Sequence, residues 1–330
     1  MLRFAVPSSG SLHDPALDFL KACGIGVSRP NPRRYTAEIP SLPGVVVHFQ
    51  RQADIPLQIE EGMADVGIVG RDGFLERRRE GGEGEIIIER LGFAQSELAL
   101  QVPDSWVDVT SMADLADLAI EFRQQGTQLQ VATKYPRLTE RFLLANGVNF
   151  VTLIPSSGAL ESGPAMGSAD IIADISSTGT TMRANRLKTI QGGTVVRSEA
   201  CLIGNRRRIA DDPGKLGPAM ALVEHIEAYR NSRNFYSVTA NVRGKDQESV
   251  AQDVLEYADI AGLRGPTIAK VHTIDETASW YAVTVIVEKT RLLDAVNRLR
   301  EIGGVSVTVT QPSYMFHSKS EAAERLTKGS

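Results

Sequence analysis

The 330-residue chain has few cysteines, few aromatic residues and no excess of positive charge. Its two cysteines, Cys23 and Cys201, are too few for a disulfide framework and lack the spacing of a metal site, which indicates buried thiols in a reducing compartment. Lys and Arg number 36 against 40 Asp and Glu, so no general basic surface exists to attract nucleic acid or an anionic membrane. A polyanionic small molecule must therefore be held by local groups.

Long apolar runs are also absent. No segment is long enough to cross a bilayer, and Met1 leads directly into the strand-like LRFAV without an apolar signal segment. We therefore expect a cytoplasmic protein that binds neither membrane nor nucleic acid. With 42% hydrophobic and 23% charged residues, the chain has a globular composition and enough length for two or three packed cores.

Short apolar strands alternate with helix-like segments along the first two hundred residues. Strand candidates include LRFAV, VVVHF, DVGIVG, SELALQV and ADIIADI. Helix candidates include Asp14 to Cys23, Ser111 to Arg123 and Arg137 to Asn146. This alternation predicts a mainly parallel α/β sheet with ligands at the carboxyl ends of its strands.

Two segments of the chain are similar in sequence, GMADVGIVG at 62–70 and GSADIIADI at 167–175. Both contain Gly-x-Ala-Asp followed by an apolar run, a pattern typical of a helix exit, a tight turn and a buried strand. The similarity favours two similar α/β lobes with a cleft between them. A short helix-to-strand turn also recurs by chance, so both explanations stay open.

The last third of the chain follows a different pattern. GNRRRIADDPGKLG at 204–217 is dense in charge, Gly and Pro, which predicts a loop or linker. After a helix from Pro218 to Arg230, strands and helices alternate in the order βαββαβ over about 85 residues, which predicts a ferredoxin-like split βαβ domain.

Hydroxylated residues cluster where the apolar run at 169–175 meets a helical pattern. A strand-to-helix turn directs backbone N–H groups and the positive end of a helix dipole at one spot, where a phosphate fits. Gly179 permits the necessary backbone conformation. The surrounding hydroxyl residues are Ser176, Ser177, Thr178, Thr180 and Thr181.

Asp170 and Asp174 lie four residues apart on the same strand and therefore on one face. Such carboxylates could accept hydrogen bonds from a ribose diol or bind Mg²⁺. Asp170 could instead be only the turn residue of the repeated Gly-x-Ala-Asp unit.

ADISSTGTT resembles a phosphoribosyl-pyrophosphate loop. Its surroundings make the resemblance more specific. Four segments stand in the order found in ATP phosphoribosyltransferases: RQADIPLQIEEGMADVGIVGRD at 51–72, VATKYPRLTERFL at 131–143, TGTTMRANRL at 178–187 and RSEACLI at 197–203. With the ferredoxin-like segment, residues 2 to 316 resemble the long form of that family.

The resemblance implies a two-lobed, periplasmic-binding-protein-like α/β catalytic region and a C-terminal ferredoxin-like regulatory domain. Residues 1–95 plus 180–231 would form catalytic lobe I. Residues 96–179 would form lobe II, carrying the phosphoribosyl-pyrophosphate loop at its end. Residues 232–316 would be the regulatory domain, and residues 317–330 a polar tail with the composition of a disordered segment.

The implied activity is that of a pentosyltransferase in histidine biosynthesis. N1 of ATP attacks C1′ of phosphoribosyl pyrophosphate and expels Mg²⁺-bound pyrophosphate, with no covalent enzyme intermediate. The implied cofactor is Mg²⁺, with Asp174 as ligand. Histidine is the implied inhibitor, with Thr267 of GLRGPT able to hydrogen-bond it, and the implied assembly is a homo-oligomer, from dimer to hexamer.

The resemblance also assigns site residues. Asp170 and the segment from Asp174 to Thr181 correspond to the phosphoribosyl-pyrophosphate site. Glu161 of GALE could accept a proton or a hydrogen bond at the adenine amino group, and it joins Asp174 as a catalytic candidate. Residues assigned to ATP or pyrophosphate are Gly10, Ser11, Arg51, Asp72, Lys134 and Tyr135.

Two of these assignments have simpler alternatives. Arg51 could form a surface ion pair, and Lys134 and Tyr135 could merely pack at a helix start. The loop PSSGSL departs from the family, which usually has a Lys and an Arg around this glycine, whereas this chain has Ser8 and Ser11. The second hypothesis is therefore a catalytically weakened nucleotide-binding or regulatory module of the same fold.

Overall fold

The computed structural model describes residues 1–31, 33–156, 158, 160–176, 179–256, 264–273 and 278–327. Two residues of the predicted loop, Ser177 and Thr178, and Ala159 of GALE lie outside the described residues. The strands in this part of the chain form three sheets. None of the helices there has the length and apolarity needed to cross a bilayer.

The first sheet contains six strands: β1 Leu2–Pro7, β2 Thr36–Glu38, β3 Val45–Gln50, β4 Val66–Gly70, β5 Gly84–Ile88 and β11 Ala200–Asn205. Its helices are α1 His13–Ala22, α2 Ile55–Glu60 and α3 Arg71–Arg77. The spatial order is β2-β3-β1-β4-β11-β5, with β3, β1 and β4 parallel and β11 antiparallel to its neighbours. Strands β4 and β11 are buried along their whole length, which explains their unbroken apolar sequences.

The second sheet contains five strands: β6 Ser96–Pro103, β7 Leu129–Thr133, β8 Val151–Pro155, β9 Ile171–Ser176 and β10 Leu187–Ser198. Its helices are α4 Met112–Gln124, α5 Pro136–Ala145, α6 Gly163–Met166 and α7 Thr180–Ala184. The order is β10-β6-β9-β7-β8, in which β7, β8 and β9 are parallel and β6 is antiparallel to β9 and β10. The two sheets confirm the predicted two-lobed α/β class, although both are mixed rather than mainly parallel.

The predicted lobe boundary at residue 179 is wrong, because β10 pairs with β6 in the second sheet. The second lobe therefore continues to Ser198, and the chain returns to the first sheet at β11. Register shifts interrupt the pairing of β10 between Thr189 and Val196, and Gly192 has a positive φ of 78°. These irregularities hide the alternation by which a strand is recognised in sequence.

The two Gly-x-Ala-Asp units form the same local structure in both lobes. Asp65 accepts a hydrogen bond from the backbone N–H of Arg3 at 2.9 Å, just before β4. Asp170 accepts one from the backbone N–H of Gln130 at 2.7 Å, just before β9. Each carboxylate thus caps the start of the parallel neighbouring strand, β1 or β7. The contact with Gln130 supports the turn role for Asp170, which lies at the amino end of β9.

The third sheet belongs to a separate compact unit, Leu222–Glu321. Its elements are β12 Phe235–Arg243, α10 Gln247–Leu255, β13 Thr267–Val271, β14 Trp280–Glu288, α11 Leu292–Glu301 and β15 Val305–Thr310. All strand pairs are antiparallel, in the order β13-β14-β12-β15. Alternate residues of β12 and β14 are buried beneath the two helices, which confirms the predicted ferredoxin-like βαββαβ domain.

The segment predicted as a loop at 204–217 is helical. It contains α8 Arg206–Ala210 and the start of α9 Pro213–Ser232. The Asn205 side chain caps α8 by accepting the N–H of Arg208 at 3.1 Å. Pro213 is the first residue of α9, a position where proline costs the helix no hydrogen bond.

The predicted polar tail contains a helix, α12 Glu321–Thr327. Ala322, Ala323 and Leu326 are at most 3% exposed because their spacing places them on one face. From Ala322 onward the chain belongs to the same compact unit as Met1–Ala221, and the Arg206 guanidinium donates a hydrogen bond to the carbonyl of Arg325 at 2.8 Å. The prediction of a disordered tail is therefore wrong for this helix.

Candidate functional site

The turn after β9 has the predicted strand-to-helix form. Gly179 has a φ of 69°, and its N–H donates a hydrogen bond to the Ser176 hydroxyl at 3.0 Å. Helix α7 begins at the next residue, Thr180. The left-handed conformation at Gly179 is the one that glycine adopts without strain, and it turns the chain from the strand into the helix.

A cavity of about 300 Å³, called the loop cavity here, lies beside this turn. It brings together most of the predicted phosphoribosyl-pyrophosphate residues with two side chains from elsewhere in the second lobe, Lys134 and Glu161. The sequence did not indicate Gln101 or Met182, which also line it. The full lining is Gln101, Lys134, Glu161, Asp174, Ile175, Ser176, Gly179, Thr180, Thr181 and Met182.

Asp174 is the half-buried carboxylate of this cavity. Burial raises its pKa, and the nearby charge of Glu161 raises it further. The backbone N–H of Ile175, which donates to Asp174 Oδ1 at 2.8 Å, and the Lys134 ammonium act in the opposite direction. The net effect leaves an Asp174 pKa above its ordinary value, as expected where a ligand must supply part of the missing solvation.

Lys134 reaches the loop cavity from the end of β7. The buried Thr133 hydroxyl donates to the carbonyl of Ala173 at 2.9 Å, which ties this strand end to β9. The same hydroxyl accepts the backbone N–H of Tyr135 at 3.0 Å. The chain on both sides of Lys134 is therefore fixed next to the strand that carries Asp174.

Asp72 and Tyr135, both predicted to bind ATP or pyrophosphate, are hydrogen-bonded to each other. The Tyr135 hydroxyl donates to Asp72 Oδ2 at 2.6 Å, and the Ser198 hydroxyl donates to Oδ1 at 2.5 Å. Asp72 is only 6% exposed, so protein groups occupy both of its oxygens. Burial and the Asp72 charge raise the pKa of the Tyr135 phenol, which keeps it a hydrogen-bond donor. The predicted role of both residues in binding ATP or pyrophosphate stays a prediction.

Gly10, Ser11 and Arg51 do not line the loop cavity. They follow β1 and β3, two paired strands of the first sheet, and the Ser8 N–H donates to the carbonyl of Gln50 at 2.7 Å. Gly10 has a φ of 83°, and both Ser11 and Arg51 are exposed. Their predicted role in binding ATP or pyrophosphate stays a prediction.

Two further cavities adjoin the loop cavity. One of about 780 Å³ shares Ser176 with it and is lined by Arg71, Arg90 and Arg197 together with three glutamates. The other, of about 590 Å³, shares Lys134 and includes Arg77. Arg71 and Arg197 fall within the matched segments at 51–72 and 197–203, but the sequence indicated no role for them or for Arg77 and Arg90.

Comparisons with known proteins agree on one family. Residues 51–228 match the family described as ATP phosphoribosyltransferase, and residues 232–312 match the HisG C-terminal domain. The chain is 37% identical to ATP phosphoribosyltransferase 2, chloroplastic, of Arabidopsis thaliana, over 98% of the chain and 79% of that protein. It is 31% identical to an ATP phosphoribosyltransferase of Nitrobacter hamburgensis, over 98% and 97% of the two.

Among solved structures, the ATP phosphoribosyl transferase (HisG:HisZ) complex of Thermotoga maritima contains a similar chain. Its TM-score is 0.53 at 23% identity, and the alignment covers 68% of this chain and 96% of that one. This similarity concerns the fold alone.

Proposed function

The chain belongs to the ATP phosphoribosyltransferase family, and on this premise we propose that the loop cavity is where it binds phosphoribosyl pyrophosphate and transfers the phosphoribosyl group. The reaction, the first step of histidine biosynthesis, forms a bond between N1 of ATP and C1′ and breaks the bond between C1′ and pyrophosphate. One observation carries the proposal: Asp174, Glu161 and Lys134 line a single cavity with the turn at Gly179.

The phosphoribosyl group is assigned to the loop itself. Asp174 accepts hydrogen bonds from the ribose diol, and hydroxyls of Ser176, Thr180 and Thr181 donate to the 5′-phosphate. Ser177 and Thr178 join this set by their place in the sequence. A cavity of about 300 Å³ suits one of the two substrates, and the adjoining cavities leave space for the other.

The displacement at C1′ requires positioning and charge stabilisation rather than a covalent intermediate. Lys134 supports this role because its ammonium lines both the loop cavity and the adjoining cavity of about 590 Å³. A cation there stabilises the charge that develops on the departing pyrophosphate, an effect worth several kcal/mol. Glu161 accepts a hydrogen bond or a proton at the adenine amino group as N1 becomes bonded.

Mg²⁺ fits the donors of the loop cavity. Asp174 and Glu161 are close enough for the charge of one to raise the pKa of the other, and a cation relieves this repulsion. The described residues contain no group of three or more His, Cys, Asp or Glu side chains able to enclose a metal, so the ion would keep substrate oxygens and water as ligands beside Asp174. When bound, Mg²⁺ neutralises charge on the leaving pyrophosphate.

The ferredoxin-like unit is assigned to regulation by histidine. Thr267, exposed at the start of β13, supplies a hydroxyl to the amino acid. Residues 262–263 of the GLRGPT segment lie outside the described residues. We also propose assembly from dimer to hexamer and a cytoplasmic location, since Cys23 and Cys201 are both buried, as suits thiols in a reducing compartment.

Release of pyrophosphate from ATP plus phosphoribosyl pyrophosphate tests the function directly. We expect release by the full chain and a loss of at least tenfold in Asp174→Asn. Asp117→Asn, an exposed site on α4, is the matched control and should keep full activity. Substrate binding without release would instead support the weakened module that the uncharged loop at Ser8 and Ser11 suggests.

A further inference from the structure

A polar contact joins the two lobes of the first compact unit, between α3 and the start of α5. We call it the α3–α5 contact. Glu76 on α3 is 6% exposed, and its Oε1 accepts the backbone N–H of Arg137 at 3.0 Å while its Oε2 accepts that of Leu138 at 2.9 Å. The Arg137 guanidinium in turn donates to the carbonyls of Glu76 at 3.0 Å and Arg78 at 2.7 Å.

These bonds occupy the amino end of α5. The first N–H groups of a helix have no partner within the helix, and a carboxylate placed there is stabilised by their combined dipole. Glu76 fills that position from the opposite lobe. A substrate phosphate therefore does not occupy this helix start, although the adjoining cavity of about 590 Å³ is lined by Glu76 and Pro136.

Lys134 lies immediately before this helix start. Tyr135, the next residue, is held at both ends: its N–H donates to Thr133 at 3.0 Å, and its hydroxyl donates to Asp72 on α3 at 2.6 Å. The backbone that carries Lys134 is thus tied to β9 through Thr133 and to the opposite lobe through Asp72.

We propose that Asp72 and Glu76 are positioning residues, which hold Lys134 in the loop cavity through Tyr135 and the start of α5. The substrate-facing cation of the second lobe is then set in place by the first lobe. The catalytic part of this inference rests on the proposed function. It gives Glu76 a role for which the sequence offered no indication, and it gives Asp72 a role besides the predicted one.

The hydrogen bond from Tyr135 to Asp72 persists across the physiological pH range. Burial and the Asp72 charge raise the pKa of the Tyr135 phenol, so the hydroxyl stays protonated and continues to donate. We therefore expect the coupling between Tyr135 and Lys134 to be the same at pH 7 and at pH 9.

A double-mutant cycle tests the coupling. Tyr135→Phe removes one hydroxyl and leaves the ring in place. We expect it to lower kcat for pyrophosphate release about tenfold in the parent chain, but less than twofold in Lys134→Met, because its effect passes through Lys134. Glu140→Gln, at an exposed position of α5, should change neither rate. An equal loss in both backgrounds would overturn the proposal.

A second measurement does not depend on activity. The rate at which an acetylating reagent modifies Lys134, followed by mass spectrometry, should rise severalfold in Tyr135→Phe and in Glu76→Gln, since both variants release the start of α5. Lys21 on α1 should react at the parent rate in all variants. Unchanged reactivity of Lys134 in both would refute the positioning role, whereas a parent chain that releases no pyrophosphate would refute only the proposed function.

Discussion

Replacing Asp174 by Asn should weaken substrate binding and strengthen the fold at the same time. The substitution keeps the shape of the side chain and removes its charge. The lost interaction is a charge-assisted hydrogen bond to the ribose diol, worth about 1.5–3 kcal/mol, or roughly tenfold to more than a hundredfold in affinity. We expect the dissociation constant for phosphoribosyl pyrophosphate to rise by that factor.

The effect on stability has the opposite sign. Burial and the charge of Glu161 place the pKa of Asp174 above its ordinary value, which the unfolded chain retains. A raised carboxyl pKa favours folding fully below the unfolded pKa, and this contribution is lost as the pH rises through the folded pKa. At pH 8 the parent chain therefore carries an unfavourable buried charge, and Asp174→Asn removes it.

Two measurements on the same preparations separate these effects. Calorimetric titration at pH 8 gives the affinity for phosphoribosyl pyrophosphate, and thermal unfolding without ligand gives the stability. We expect the variant to unfold at a higher temperature than the parent at pH 8, by a difference that shrinks as the pH is lowered through the raised pKa of Asp174. Asp117→Asn should leave both quantities unchanged. Unaltered affinity, or a variant less stable than the parent at pH 8, would refute the reasoning.

Three further predictions concern other parts of the chain. Asp65→Asn should lower the free energy of unfolding in urea by about 3–5 kcal/mol, since it leaves two cationic partners without their buried carboxylate. Burial raises the pKa of Asp65, but its hydrogen bonds to Arg3 and Lys215 lower it below the ordinary value, so the parent should also lose stability as the pH falls through that pKa. Ser8→Lys with Ser11→Arg should tighten phosphoribosyl pyrophosphate binding by about 1–2 kcal/mol and make it more salt-sensitive, and unchanged affinity in titrations at two salt concentrations would show that another cation already neutralises the leaving group. Thr267→Val should raise the histidine concentration needed for half-inhibition severalfold without changing the uninhibited rate, and an identical dose–response curve would exclude this residue.

The parts of the site that a continuous segment encodes could be predicted from the sequence. The strand, the turn at Gly179 and the start of α7 are neighbours in the chain, so their local pattern was sufficient. The approach of Lys134 and Glu161 to Asp174 depends on which strands pair, and only the resemblance to a family suggested it. The sequence alone does not decide the role of Asp170, because its turn role depends on Gln130, a residue 40 positions away.

The side-chain contacts that the sequence did not predict join residues far apart in the chain. Asp72 follows a strand end and has the chemistry of a ligand residue, yet Ser198, 126 positions away, and Tyr135 occupy its oxygens. Glu76 looks like any helical glutamate until α5 is placed beside it. The fold class was predictable from the order of helices and strands, whereas these contacts needed the relative placement of the lobes.

The position of α12 has a consequence for how the chain folds as it is made. The first compact unit includes this helix, but the ribosome synthesises the whole of Leu222–Glu321 before reaching it. At about 5–20 residues per second, that interval lasts about 5–20 s. Throughout it, the surface that Leu326 later covers stays open on the nascent chain, and apolar surface of this kind is what holdase chaperones bind. Completion of the first compact unit is therefore delayed until the second unit has been synthesised.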